Sequence, residues 1–292
     1  LHETYPCGTS KHLPKRGSMS SSRRPRTPNG HRPRTRQDAE SARRLKRPPT
    51  SHRGFLAPLA LTLSLVLLTF TPRVQDNQIL TWSFWGATIL LLVWQITLFL
   101  QVKRSSTGVS LRTELRPQHY VQALAQVAVL SYWGWHWRPV YDHAWLLVAQ
   151  LLFAYAFDML LAWSRRDSYT LGFGPFPIIF STNLFLWFRD DWFYLQFLMI
   201  AVGFMGKEFV RWNREGRWTH IFNPSAFSLG LFSLVLIATN TSDLTWGQDI
   251  ATTLTLAPRI YLFLFLIGLV VMYFFSITLV AGLAAVVLFS SS

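Results

Sequence analysis

The chain has 292 residues, half of them hydrophobic, and a formal net charge of +14. Residues 1–53 hold 14 Lys or Arg against 3 Asp or Glu, a net charge of +11, whereas residues 54–292 hold 14 against 11, a net charge of +3. The single cysteine, Cys7, excludes an intramolecular disulfide and a cysteine-rich metal or iron–sulfur site.

Residues 1–53 are rich in Arg, Ser and Pro and have almost no large apolar side chains. Such a segment cannot bury a core, so we predict a disordered basic tail. Its charge favours a cytoplasmic position by the positive-inside bias, with no specific nucleic acid as a partner. A tail that binds nucleic acid or anionic lipid is the alternative. Met19 is the expected translation start, which makes residues 1–18 upstream read-through.

Residues 54–292 predict an all-α integral membrane domain, because apolar runs of about 17–21 residues recur, enough to cross a bilayer core. We predict eight spans, and a ninth apolar segment, 276–290, that is either a separate span or a continuation of the eighth. Because the chain ends while still apolar, we expect a C-terminal truncation and about ten spans in the complete protein. The eight spans are 54–70, 80–100, 119–137, 144–163, 171–188, 192–206, 221–239 and 259–275.

Basic residues in the loops between these spans predict a cytoplasmic N-terminus. With that orientation the inside loops carry ten Lys or Arg and the outside loops carry three. This asymmetry satisfies the positive-inside rule without moving any span. The inside residues are Lys103, Arg104, Arg112, Arg116, Arg165, Arg166, Lys207, Arg211, Arg214 and Arg217, and the outside residues are Arg73, Arg138 and Arg189.

Two spans have interrupted starts: the sequence GFGPFP, residues 172–177, opens the fifth, and Asn223-Pro224 opens the seventh. Asn223 is a favourable N-cap and Pro224 suits the first helical position, so a helix is predicted to begin there. Its free N–H groups and positive dipole end favour an anionic or electron-rich group. Paired breaks at membrane depth point to a binding site, whereas the alternative is that each proline simply begins a helix.

Asp158 is the one acidic residue well inside a span, and ionisable residues at that depth are usually paired or functional. It is predicted either to form a structural ion pair with Arg165, Arg166 or Lys207, or to act as a proton or ion relay. The sequence contains no motif of a soluble catalytic site, and no metal site is predicted.

The segment from Lys207 to Arg217 is polar and charged. Glu208 and Arg211, and Arg211 and Glu215, have the spacing of ion pairs on a helix, which predicts a helical extension into the cytoplasm with a solvated face. The alternative is that Lys207 and Arg211 hold a phosphate or another anion at the mouth of the seventh helix.

One stretch, 206–230, also carries a family pattern of Gly-Lys, about a dozen polar residues, His, and then Phe-Asn-Pro followed by small residues. It resembles the membrane subunits of two related electron-transfer complexes, the D subunit of the Rnf complex and the B subunit of the sodium-translocating NADH:quinone oxidoreductase. It is most similar to their enediyne-biosynthesis relatives, which share a segment like PQHYVQ, residues 117–122. The resemblance covers 117–275 loosely. The matching residues are Gly206, Lys207, His220, Phe222, Asn223, Pro224, Ser225 and Ala226.

The resemblance implies a multi-pass subunit of the bacterial inner membrane, built from two inverted repeats, that holds flavin and relays electrons among other subunits of a membrane redox complex. Asn223, Pro224 and Ser225 would present helix N–H groups to the flavin or its phosphate. Lys207 and His220 would supply positive charge or hydrogen bonds.

The family's covalent attachment site is the main departure. There a Thr in a Ser-Gly-Ala-Thr-like motif binds FMN through a phosphoester bond, and Thr252-Thr253 lacks the surrounding Gly and Ser. The equivalent Thr is expected near or beyond residue 292, unless this branch has no covalent flavin. Two other functions remain open from the sequence: a small-solute transporter or channel on the same scaffold, and a cofactor-free membrane anchor or assembly protein.

Overall fold

Helices account for most of the computed structural model, which describes residues 52–104, 109–166, 168–214 and 217–275. The predicted tail, 1–53, lies outside the described residues except for its last two positions, and the ninth apolar segment, 276–290, lies outside them entirely. Within the described ranges the α-helices are α1 (Leu56–Leu68), α2 (Pro72–Gln75), α3 (Gln78–Arg104), α4 (Pro117–His136), α5 (Pro139–Asp142), α6 (Ala144–Trp163), α7 (Pro175–Asn183), α8 (Phe193–Phe209), α9 (Pro224–Ala238), α10 (Gly247–Thr253) and α11 (Ile260–Phe274).

Each of the eight predicted spans overlaps one of these helices, which confirms the helical class of the domain. By length and composition alone, two helices of the described part, α3 and α6, are suited to crossing a membrane. The pair Gly247–Leu256 and Ile260–Phe274, bent by 100°, would make a third crossing if it forms one broken span. The structure therefore supports two or three such helices, and not the eight or nine that we predict from the sequence.

The fifth predicted span, 171–188, is wrong as a single membrane-crossing helix. Its helix, α7, has nine residues, a length of about 14 Å at 1.5 Å per residue. Prolines at 175 and 177 allow a helix to begin but not to extend backward, because proline lacks the N–H that an earlier turn would need. At the other end Asn183 donates a hydrogen bond to the Ile179 carbonyl, 2.7 Å away, and to the Gln150 side chain on α6.

Helix α6 lies at the centre of the bundle and contacts α1, α3, α7 and α8. About 67% of its most apolar 18-residue window is buried, against 39% for α3. A helix that is apolar on all sides is expected at the centre, where every face has a neighbour. By contrast α3 leaves apolar side chains such as Leu90, Val93 and Ile96 more than half exposed.

Four short strands occur in the described loops, and the sequence analysis predicts none of them. Strand β1 (Ser110–Thr113) pairs in parallel with β2 (Ser168–Leu171), and β3 (Arg211–Arg214) forms an antiparallel hairpin with β4 (Arg217–His220). The hairpin corrects the predicted helical extension: α8 ends at Phe209. Trp and Thr at 212, 218 and 219 favour extended backbone, which overrides the helical spacing of the charges.

The loops form two groups at opposite ends of the helices, and each group matches one predicted side of the membrane. On the predicted outer side Arg73 contacts Asp190 at 2.7 Å, and Asn77 donates to Asp191 at 2.7 Å. On the predicted inner side the β1–β2 pair joins the loop before α4 to the loop after α6. These contacts therefore join loops that the charge asymmetry assigns to the same side.

Candidate functional site

A cavity of about 710 Å³ lies at the end of the bundle where the predicted inner loops meet. Its walls come from α4, α6, α7, α8 and α9, together with β2 and the loop that precedes α9. The volume is within the range of small-molecule sites, roughly 300–1,000 Å³. The charged and polar lining residues that bear on its chemistry are Glu114, Arg116, His119, Asp158, Arg166, Tyr169, Lys207, Arg211, Asn223 and Ser225.

Five of the six residues that the sequence singles out for cofactor binding or relay line this cavity: Asp158, Lys207, Asn223, Pro224 and Ser225. The sixth, His220, ends β4 directly before Ile221, another lining residue, and its side chain lies outside the described part of the structure. Asp158 on α6 is at least 49 positions away in sequence from the lining residues on α8 and α9. The three helices therefore bring distant residues to one cavity.

The start of α9 has the predicted cap. The Asn223 backbone is extended, with φ −63° and ψ 124°, and its side-chain oxygen accepts hydrogen bonds from the Ser225 N–H at 3.2 Å and the Ser225 hydroxyl at 2.9 Å. Pro224 occupies the first helical position. The predicted N-cap is confirmed, and the first turn of α9 lies at the cavity wall, where its remaining N–H groups favour negative charge.

Two other helices begin at the same cavity. Gly174 and Pro175 at the start of α7, and Arg116 just before α4, are lining residues. The chain before α7 is fixed by a close approach: a Cβ on Gly172 would lie 2.5 Å from the Glu114 carbonyl oxygen, so only glycine fits there. With three helix N-termini at one cavity, the electrostatic potential inside it is more positive than the charged side chains alone would make it.

The close packing of α9 against α8 explains why position 206, the first residue of the Gly-Lys motif, is a glycine. A Cβ on Gly206 would lie 2.6 Å from the Phe227 ring, and a Cβ on Gly203 would lie 3.1 Å from the Pro224 carbonyl oxygen. Small residues at both positions let the two helix backbones approach closely. This approach brings the capped start of α9 next to Lys207 at the end of α8.

Asp158 is 7% exposed and is bound by two donors. The Lys207 ammonium lies 3.2 Å and 3.0 Å from its two carboxylate oxygens, and the Tyr169 hydroxyl donates to one of them at 3.0 Å. Of the three partners that the sequence leaves open, the structure selects Lys207. Burial and the nearby Asp158 charge raise the pKa of the Tyr169 phenol far above its ordinary value, so Tyr169 is a hydrogen-bond donor at physiological pH.

Arg165 and Arg166 pair instead with Glu208, whose side chain is 6% exposed. The Arg166 guanidinium donates to the Glu208 carboxylate at 2.7 Å, Arg165 lies 3.6 Å from it, and Arg211 is a third partner. The Glu208–Arg211 pair is one of the two predicted from helical spacing, and Glu215 of the other pair lies outside the described residues. Three guanidinium groups share one carboxylate, so this cluster keeps an excess of positive charge, and two of its arginines line the cavity.

Sequence reasoning missed three residues of the site. His119 belongs to the PQHYVQ segment, which the resemblance indicates without giving it a role, and it lines the cavity from α4. Tyr169 lies in a strand that hydropathy does not reveal. The sequence places Glu208 on a solvated helix face, because its partners Arg165 and Arg166 are more than 40 positions away; in the structure it is buried and pairs with two arginines that line the cavity, Arg166 and Arg211.

The residues considered for other ligands lie elsewhere. The hydroxyls of Thr252 and Thr253 in α10 donate to carbonyls of their own helix, at Gln248 and Asp249, and neither lines the cavity. In the described ranges no group of three or more His, Cys, Asp or Glu side chains is placed to hold a metal ion.

Comparison of the chain with protein-family models, with curated proteins and with solved structures finds no match. The resemblance to the Rnf D-type subunits therefore depends on the motif residues alone.

Proposed function

We propose that this protein is a membrane subunit of an electron-transfer assembly of the Rnf D type, which binds flavin in the cavity and relays electrons. The observation that carries the proposal is the convergence of Lys207, the capped start of α9 and the arginines around Glu208 on one cavity of about 710 Å³. Positive side chains and helix N-termini together suit a phosphate-bearing ligand. FMN carries such a phosphate.

The residues present fit a flavin mononucleotide in chemical terms. Lys207, Arg166 and Arg211, together with the N–H groups behind Asn223, would hold the phosphate, and Ile178, Pro177 and Phe275 offer apolar surface for a ring system. When bound, flavin supplies hydride and one-electron chemistry that no side chain provides. The protein's part is to bind and orient the cofactor and, through Asp158, to hold a proton or ion beside it.

The proposal places the protein in the bacterial inner membrane as a multi-pass protein, with a cytoplasmic N-terminus and an inverted-repeat architecture. Its support is the membrane-competent length of α3 and α6, the exposed apolar surface of α3, and the segregation of loop contacts to two ends. Helices α1, α8, α9 and α11 have 13 to 17 residues. They are shorter than the ~20 residues of a full crossing, and would require local thinning of the bilayer.

A small-solute transporter is the second candidate, and a specific observation favours it. Both interrupted helices, α7 and α9, begin at the same cavity, which is the arrangement expected where broken helices bind a substrate. The two candidates differ in a direct way: a transporter moves solute without a bound chromophore, whereas the redox subunit carries flavin.

The test is the visible spectrum of the full-length protein purified from its native membrane, followed by flavin fluorescence of the denatured band. A fluorescent band would indicate covalent flavin, and a spectrum lost on denaturation would indicate a non-covalent site. We expect Asn223→Ala and Lys207→Ala to lower flavin content several-fold, while the matched surface variants Asn213→Ala and Lys103→Ala leave it unchanged. A folded wild-type preparation without flavin would reject the redox proposal and favour the transporter or a cofactor-free anchor.

A further inference from the structure

The Asp158–Lys207 pair differs from the Glu208 cluster in the number of cationic partners that each carboxylate has. Glu208 has three cationic partners, whereas the described residues give Asp158 one, Lys207. The other donor to Asp158 is the neutral Tyr169 hydroxyl. Removing Lys207 from this pair would therefore leave a buried carboxylate with a single neutral donor, which is unfavourable in a low-dielectric interior.

Lys207 is accessible to both Asp158 and a ligand. Its side chain is 28% exposed while that of Asp158 is 9% exposed, and both residues line the cavity. The ammonium group sits on a flexible four-carbon stem, so it can change partners without movement of α8. An anion that enters the cavity is attracted by Arg166, Arg211 and the helix N-termini, and it meets Lys207 there.

We propose that binding of a phosphate-bearing anion in this cavity is coupled to uptake of one proton by Asp158. The anion takes over the Lys207 ammonium, and Asp158 accepts a proton from bulk water as its counter-charge leaves. The product is a neutral carboxylic acid next to Tyr169 and a new ion pair between Lys207 and the anion. The inference rests on the proposed function only in requiring that the cavity binds an anion.

Few other groups near Asp158 titrate. Tyr155 on the same helix donates its hydroxyl to the Gly172 carbonyl at 2.7 Å, and Tyr169 is held as a donor. Helices α1 and α7, which also pack against α6, contain no ionisable side chain, and α3 has its only two, Lys103 and Arg104, at its inner end. Glu114 and His119 line the same cavity, and Glu208 on α8 is paired with three arginines. The experiment therefore includes a His119→Gln variant to separate its proton from that of Asp158.

Titration calorimetry of the full-length protein in nanodiscs, with FMN as the probe and two buffers of different ionisation enthalpy, counts the protons taken up. We expect about one more proton per bound FMN in the wild type than in Asp158→Asn, and an affinity that falls by up to about tenfold per pH unit as pH rises. In Asp158→Asn the affinity should follow only the protonation of FMN itself. His119→Gln should keep the extra proton.

Lys207→Gln gives an independent readout if Asp158→Asn does not fold. This variant should hold Asp158 protonated before any ligand is added, visible as the infrared C=O band of a carboxylic acid, and it should bind FMN without the extra proton. In the wild type the same band should appear only on binding. Equal proton uptake by the wild type and Asp158→Asn would overturn the coupling.

Failure of the flavin proposal and failure of the coupling are distinguishable. If FMN does not bind, the flavin assignment is rejected, and the same titration with inorganic phosphate tests the coupling on its own. Proton uptake with phosphate, lost in Asp158→Asn, would support the coupling without flavin. If neither FMN nor phosphate binds to the folded protein, both proposals are rejected.

Discussion

Glu208 is the residue around which the inner arginines are arranged, and its removal has a predictable effect. Replacing Glu208 by Gln leaves Arg165, Arg166 and Arg211 without their shared carboxylate. Loss of one partner of a fully buried pair costs about 3–5 kcal/mol, but Arg165 and Arg166 are about half exposed and remain solvated. We therefore expect destabilisation by about 1–2 kcal/mol, measured as a lower midpoint of thermal unfolding in detergent.

Glu114 provides the matched control for this change. It pairs with Arg116 at 3.0 Å, but both side chains are more than half exposed. Glu114→Gln should therefore change the midpoint little, because exposed ion pairs contribute about 0–1 kcal/mol. If the two variants unfold at the same temperature, the Glu208 cluster does not have the structural weight assigned to it.

On the outer side, Asp190 predicts how stability depends on pH. Burial alone would raise the pKa of this carboxyl, but the nearby His143 ring, 3.7 Å away, and the charge of Arg73, 2.7 Å away, outweigh it and lower the pKa below its ordinary value of 3.8. A carboxyl whose pKa is lower in the folded state contributes stability above its unfolded pKa and loses it as pH falls through the folded one. We expect the wild type to lose melting temperature below about pH 4 more steeply than Asp190→Asn. The exposed Asp76→Asn should keep the wild-type slope.

At the scale of elements, the α8–α9 contact depends on Gly206. A Cβ there would lie 2.6 Å from the Phe227 ring, which stacks on Phe222 at 5.8 Å between ring centroids. Gly206→Ala should therefore shift α9 and destabilise the protein by about 1–3 kcal/mol, despite the better helix propensity of alanine. The measurement is thermal unfolding together with FMN binding, since the shifted helix carries the Asn223 cap.

Gly230 on α9 is the control for Gly206. A Cβ at Gly230 meets no heavy atom within 4 Å, so Gly230→Ala changes helix propensity without a steric conflict. It should be neutral or stabilising by up to about 1 kcal/mol. Destabilisation of equal size in both variants would show that the Phe227 contact is not what makes Gly206 necessary.

The elements that the sequence predicts correctly depend on local chemistry. The Asn223 cap, the helical first turn at Pro224 and the Glu208–Arg211 pair involve residues within three positions of each other. The elements that it does not predict depend on distant partners. Strand β2 exists because β1 pairs with it from 58 positions away, and the partner of Asp158 depends on how α8 packs against α6. The local sequence around each of these residues is compatible with several distant partners, so it does not predict which one is used.

At the scale of the whole molecule, several helices of the described part expose large apolar side chains, which we call the apolar belt. Helices α3, α9 and α11 leave large apolar side chains such as Leu90, Ile237 and Phe265 more than half exposed. Large exposed apolar patches are unusual on a monomer in water. The ion pairs involving Asp190, Glu208 and Asp158 lie at the two ends of the helices. A bilayer around the belt would cover the apolar side chains and leave both charged ends in water.

The orientation of the two charged ends across the membrane can be measured by cysteine labelling. The test uses single cysteines in a Cys7→Ser background. Asp142→Cys and Ser242→Cys lie on the predicted outer side, and Thr113→Cys and Gln118→Cys lie on the predicted inner side. All four positions are exposed. A membrane-impermeant maleimide should label the first two in intact cells, and the other two only after the membrane is opened, because the ten-to-three excess of Lys and Arg is expected to retain that side in the cytoplasm. Labelling of Thr113→Cys in intact cells would reverse the orientation and put the cavity on the opposite face. Labelling of all four positions would mean that these loops are not separated by a bilayer, and the exposed belt would then need a protein partner to cover it.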